Sequence, residues 1–151
     1  MVPRQISSGV VWISLFLFPL FLRLFWLLSL PRPYLIPDEI VYPQAGRAYV
    51  NAIMQGNLTS FRLQPLAAAH PPLAKLILGI FLLMAGDSWL SDIDISRILC
   101  ALLGSLTCII IWVHLKRYGN IVAFFGWFLA SIDPLSIRYS IALLDVAAVS
   151  Y

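Results

Sequence analysis

The chain has 151 residues, 61% hydrophobic and only 11% charged, with a mean hydropathy of +0.90. Soluble domains carry roughly 25% charged residues, so this composition excludes an ordinary polar surface and reads as an all-α, multi-pass membrane protein. The formal net charge of +3 comes from scattered basic residues, which excludes the clustered basic face that nucleic acid requires as a partner.

Residues 9–30, GVVWISLFLFPLFLRLFWLLSL, form an apolar run long enough to cross a bilayer, which takes about 20 residues. A cleaved signal peptide has a shorter apolar region of roughly 7–15 residues and a small-residue cleavage site. The run is therefore expected to be an uncleaved first span, behind a short basic cytosolic N-terminus containing Arg4. Arg23 lies inside it, about 10 Å of helix rise from the outer end. An arginine at such depth costs roughly 2.5–3.5 kcal/mol on insertion scales. Either a bundle partner or polar cavity receives it, or its head snorkels outward.

Next, YLIPDEIVYP at 34–43 sets Asp38 and Glu39 side by side between prolines, in a segment expected to be a stiff loop. In the following PQAGRAYVNAIMQG, Ala45, Ala48, Tyr49, Ala52 and Ile53 recur at helical spacing, with Pro43 near the start and Gly56 at the end. This predicts a helix lying along the membrane surface. Residues 71–86, PPLAKLILGIFLLMAG, are apolar but interrupted by Lys75. An uninterrupted run of roughly 10–14 apolar residues points to an interfacial or re-entrant helix rather than a span.

Residues 95–115, ISRILCALLGSLTCIIIWVHL, predict a second full span, followed at once by Lys116 and Arg117. Residues 120–136 predict a third, shorter span ending near Asp133-Pro134. From about residue 139, YSIALLDVAAVSY begins a further apolar helix, of which 11 residues remain from Ile141. That is too few to span. The expectation is either a fragment lacking its C-terminal half or a chain completed by a partner subunit.

The positive-inside rule chooses between two topologies. If 71–86 crossed the membrane, DSWLSDID would be cytosolic and LKRYG outside, the reverse of the rule. If it lies in the interface, Lys116 and Arg117 become cytosolic. Residues from about 31 to 94 then form one extracytoplasmic loop carrying two juxtamembrane helices. Asn57 of the sequon NLT would face outside, as a glycosylation acceptor requires. The chain is thus read as one transmembrane module, in a prokaryotic plasma membrane or the endoplasmic reticulum, with its active face extracytoplasmic.

Under this topology Asp38, Glu39, His70, Lys75, Arg97, Arg138 and Asp145 gather at the outer membrane face. Adjacent carboxylates in a loop are ordinarily solvated charge, but one held between prolines can also act as a general base on a hydroxyl. Lys75, Arg97 and Arg138 either snorkel to headgroups or bind a lipid-linked phosphate, for which arginine offers a bidentate fork. Asp145 in IALLDV needs a partner, and Arg138, two helical turns earlier, is a candidate. His70 in AAHPPL is a phosphate donor or a helix-entry residue, and His114 reads as interfacial. Cys100 and Cys108 are about 12 Å apart along a helix, too far for a bridge, and read as packing residues. No metal-ligand spacing, glycine-rich phosphate loop or nucleophile motif occurs, so no metal-ligating residue is singled out and no cofactor is expected beyond the lipid-linked donor, itself a substrate; the residues leave a divalent metal open.

The order of these motifs resembles the N-terminal region of GT-C glycosyltransferases, and most of all the dolichyl-phosphate-mannose–protein mannosyltransferases. It consists of an acid pair after the first span, then HPPLAK, then SRILCALLGSLT, then YSIALLD, and covers roughly residues 10–151. The resemblance implies inverting transfer of a sugar from a polyprenyl-phosphate donor to an acceptor hydroxyl, usually Ser or Thr of an acceptor protein. By the same resemblance Asp38 is the catalytic base with Glu39 beside it. Arg97 matches the arginine heading the family's span, His70 and Lys75 match its His-Pro-Pro segment, and Asp145 matches the end of Leu-Leu-Asp. One departure is plain: the family's arginine five residues before that aspartate is Ser140 here, with Arg138 nearest. Family members are several times longer, so a module of this length is expected to be incomplete by itself. A related transferase that glycosylates a lipid, or a non-catalytic membrane scaffold that retains the motif residues, are the alternatives.

Overall fold

A computed structural model describes residues 8–29, 37–57, 72–86 and 90–141, with side chains for 9–29, 41–57, 73–86 and 90–138. All regular structure among the described residues is helical: α1 (Ser8–Ser29), α2 (Pro37–Met54), α3 (Pro72–Ala85), α4 (Asp92–Leu115), a 3-10 turn (Lys116–Tyr118), α5 (Asn120–Ile132) and α6 (Pro134–Ile141). The chain divides into two compact units, Met1–Leu30 with Ala101–Ile141, and Pro31–Cys100 with Ala142–Tyr151.

Two helical stretches are long and apolar enough to cross a membrane, Gly9–Ser29 and Asp92–Tyr118, and only 17% of each apolar window is buried within the protein. A core helix of a soluble protein would bury most of that window. On α1 the residues turned away from the protein are Ile13, Leu17, Phe21, Phe25 and Leu28, all more than half exposed. An apolar stripe of this size marks a surface for contact with a membrane or with another protein.

In the first unit the inward face of α1 carries Leu15, Pro19 and Arg23, spaced four residues apart and all buried. Pro19 lacks an N–H, so the carbonyl of Leu15 loses its helical donor. The Trp127 indole N–H of α5 donates to that carbonyl at 2.9 Å. Leu15, Cys108 and Trp127 form the unit's core, with Trp112 and Phe128 packed around it. The buried hydroxyls of Ser105 and Ser131 donate back to the carbonyls of Ala101 and Trp127 one turn earlier. Trp127→Phe keeps much of the ring and removes the donor. It is expected to cost about 1–3 kcal/mol, the range for a buried acceptor left unsatisfied. An unchanged unfolding temperature in detergent would argue against that role.

Arg23 settles one of the open alternatives. It is 1% exposed and donates to Pro19 O at 3.1 Å, Ser136 Oγ at 3.4 Å and Cys108 Sγ at 3.5 Å. Partners within the bundle hold it, and the outward-snorkelling expectation is corrected. Cys108 packs in the core of this unit and forms no disulfide.

Element ends follow local chemistry and correct several expected boundaries. The expected third span over 120–136 breaks at Asp133, which precedes Pro134 and is pushed into extended backbone (φ −60°, ψ 119°). The Asp133 carboxylate accepts from Ser136 N at 2.7 Å and caps α6, with Pro134 in the first helical position. α5 is therefore 13 residues, about 20 Å long and shorter than a full crossing. The following helix begins at Pro134 rather than near residue 139. α4 begins at Asp92 rather than Ile95, because Ser91 Oγ accepts from Asp94 N at 3.2 Å and Asp92 and Asp94 favour the positive end of the helix.

α2 begins at Pro37, six residues before the expected start, so Asp38 and Glu39 lie in its first turn and not in a preceding loop. Proline suits the first helical position, and the interior Pro43 leaves the Glu39 carbonyl without its helical donor. At the other end Gly56 has φ +66°, with Asn57 N donating to Ala52 O and Gly56 N to Ile53 O, the hydrogen-bond pattern of a Schellman cap. α3 is 14 residues, Pro72–Ala85, with Gly86 (φ +59°) just beyond its end.

Candidate functional site

The second unit is built around the packing of α2 on α3. Gly46 and Gly79 bring the two backbones together: a Cβ placed on Gly46 would lie 2.8 Å from Lys75 O and 2.9 Å from Gly79 N. Small residues at the crossing of apolar helices allow this approach. Tyr42, Leu78, Leu82 and Ile95 then form a core shared by α2, α3 and the start of α4.

Among the described residues of this unit, two cations are buried. Lys75, completely buried on α3, holds Nζ 5.3 Å from the ring centroid of Tyr42, within cation–π range. Arg97 on α4 is 3% exposed, two residues beyond the core residue Ile95. Lysine and arginine are almost never fully buried unless paired, and neither of these is without a partner. The expectation that Lys75 and Arg97 snorkel to headgroups is therefore corrected, because their heads lie inside the protein.

At the start of α4, Arg47 grips Asp92 through both carboxylate oxygens, Nε to Oδ2 at 2.6 Å and Nη2 to Oδ1 at 2.7 Å. This bidentate pair ties α2, and with it the turn carrying the acid pair, to the end of α4 that carries Arg97. Both side chains are more than a third exposed, so its contribution to stability is expected to be below about 1 kcal/mol. Asp92→Asn should lower stability by that small amount, and the charge-exchanged pair Arg47→Asp with Asp92→Arg should recover part of it in a double-mutant cycle.

The remaining expected site residues distribute unevenly. Asp38 stands one helical turn before Tyr42 on α2; for Asp38 and Glu39 the backbone alone is described. Arg138 belongs to the other unit and is exposed. His70 and Asp145, and hence the expected Arg138–Asp145 pairing, lie outside the described residues. Among the described residues no group of His, Cys, Asp and Glu is placed to hold a metal ion.

Sequence reasoning missed Tyr42, the Arg47–Asp92 pair and the Gly46–Gly79 contact. Gly79 did carry a signal, as a glycine inside the apolar run LAKLILGIF, where it costs helix stability unless close packing demands it. Tyr42 and Arg47 gave none, since their partners lie 33 and 45 residues away in the chain. No protein-family model matches the chain, and neither a curated protein nor a solved structure was found to be significantly similar to it.

Proposed function

We propose that the chain is a multi-pass membrane module of a glycosyltransferase that uses a polyprenyl-phosphate sugar, such as dolichyl-phosphate mannose, as donor. The acceptor is a Ser or Thr hydroxyl of a protein, and Asp38 takes the hydroxyl proton as the oxygen attacks the anomeric carbon. The bond from that carbon to the donor phosphate breaks with inversion, and polyprenyl phosphate leaves carrying the bonding electron pair. The reading is supported chiefly by one observation: Lys75 and Arg97, two buried cations, lie in the unit whose helix α2 begins with the acid pair. Because both heads are buried and partnered, a phosphate arriving through the lipid phase would reach them only as α2, α3 and α4 part to admit it, and there little water would screen the charge. The motif order of the sequence supports the same assignment, with His70 and Asp145 as further contacts to the donor. Glu39 is the neighbour of the base.

A full-length chain reconstituted with a radiolabelled polyprenyl-phosphate mannose, a Ser/Thr peptide and membrane lipid tests this directly. Label entering the peptide is expected. Label entering an organic-soluble product instead would favour the lipid-acceptor enzyme, and label remaining on the donor in all conditions would refute catalysis by this polypeptide. In the same assay Lys75→Met is expected to raise the KM for the donor about tenfold to a hundredfold, the loss of one charge-assisted hydrogen bond. An unchanged donor KM would remove Lys75 from the phosphate site.

A further inference from the structure

We propose that the basic turn at the end of α4 is a binding site for the headgroup of an anionic phospholipid. Its residues are His114, Lys116, Arg117 and Tyr118, all exposed. Arg117 Nη2 lies 2.9 Å from His114 Nε2, and the guanidinium carbon sits 4.7 Å from the centroid of the Tyr118 ring. The hydrogen bond uses one edge of the guanidinium and the ring covers one face. Arg117 is thereby held in one pose, with its remaining N–H groups available to an anion.

Among the described residues no carboxylate pairs with Lys116 or Arg117; the ion pair described above joins Arg47 to Asp92, elsewhere in the chain. The positive charge of this turn is therefore not neutralised by a carboxylate among the described residues and is open to an anion from outside. The setting selects the source. The turn ends the apolar stretch Asp92–Tyr118, and the next helix opens with exposed Ile121 and Val122. A ligand seated here meets a cationic fork, a stacked aromatic ring and, on either side, apolar helix surface. This matches a phosphodiester headgroup joined to acyl chains, with Tyr118 at the end of the apolar stretch, where aromatic residues commonly flank membrane interfaces. Attraction of such turns to anionic leaflets is a known electrostatic effect, and the preset arginine makes this one a site rather than a diffuse charge. The site is independent of the glycosyl-transfer reading and lies in the other unit.

Full-length chain in nanodiscs of phosphatidylcholine mixed with phosphatidylglycerol tests this, because both faces are accessible whatever the orientation of the chain. The protein is extracted in mild detergent and its retained lipid quantified by mass spectrometry. Phosphatidylglycerol is expected to be enriched over its share of the bilayer. The enrichment is expected to fall about fivefold for each charge removed in Lys116→Gln and Arg117→Gln. Tyr118→Leu, which leaves the charge intact, is expected to reduce it less. Excess inorganic phosphate is expected not to displace the lipid; displacement would show a soluble-phosphate site and overturn the lipid assignment. Absence of enrichment in the wild-type chain, or full enrichment in the doubly substituted chain with helicity unchanged by circular dichroism, would overturn it as well.

Discussion

Gly79→Leu is expected to separate α2 from α3. A Cβ at Gly79 would meet the Gly46 carbonyl oxygen, with the Gly46 carbonyl carbon at 2.6 Å and Val50 Cγ2 at 2.8 Å. Two of these three atoms are backbone, so no side-chain rotation relieves the clash and α2 itself must move. Overpacking of this kind costs about 1–3 kcal/mol even where side chains can yield, and a leucine at a backbone contact should reach or exceed the upper end. Gly79→Ala should already show the effect. Gly9→Ala is the matched control, because nothing lies within 4 Å of a Cβ at Gly9. Hydrogen exchange at the α2 amides reads the outcome: at least about tenfold faster exchange in Gly79→Leu, from a loss of about 1.4 kcal/mol or more. Protection equal to wild type would mean that the glycine contact does not hold the pair together.

This contact explains part of what the residues revealed and part of what they hid. The first and second long helices were legible because about 20 apolar residues in a row leave few other readings. The end of α2 was legible from Gly56, because a left-handed residue there is a local requirement. Boundaries moved where a capping side chain or a proline decided them: Ser91 started α4 earlier, Asp133 stopped α5, and Pro37 drew the acid pair into a helix. The site was harder to read. That Lys75 and Arg97 are unusual could be inferred from charges placed in apolar sequence, but their burial depends on how α2, α3 and α4 pack. Hydropathy along one chain does not distinguish a lysine that snorkels from one that lies over a tyrosine 33 residues away. Arg23 illustrates the same limit, since its partners on α4 and α6 are 85 and 113 residues distant.

The second large effect is expected at Asp38. Asparagine has nearly the same shape as aspartate but does not accept the acceptor hydroxyl's proton. Asp38→Asn is therefore expected to lower kcat by about 10²–10⁴, the usual contribution of a positioned base, while the donor KM changes little. Glu39→Gln should cost less, since the reading gives it no proton to take. The position of Asp38 in the first turn of α2 sharpens the expectation, because a residue on a helix anchored by Gly46, Gly79 and the Arg47–Asp92 pair is held more firmly than one in a loop. The decisive measurement is the initial rate of mannose transfer from a radiolabelled polyprenyl-phosphate donor to a Ser/Thr peptide, in full-length wild-type and Asp38→Asn chains of equal helicity. Transfer by the wild-type chain and its near-complete loss in Asp38→Asn is the expected result; no transfer by the wild-type chain, or equal rates in the two, would contradict the proposed function.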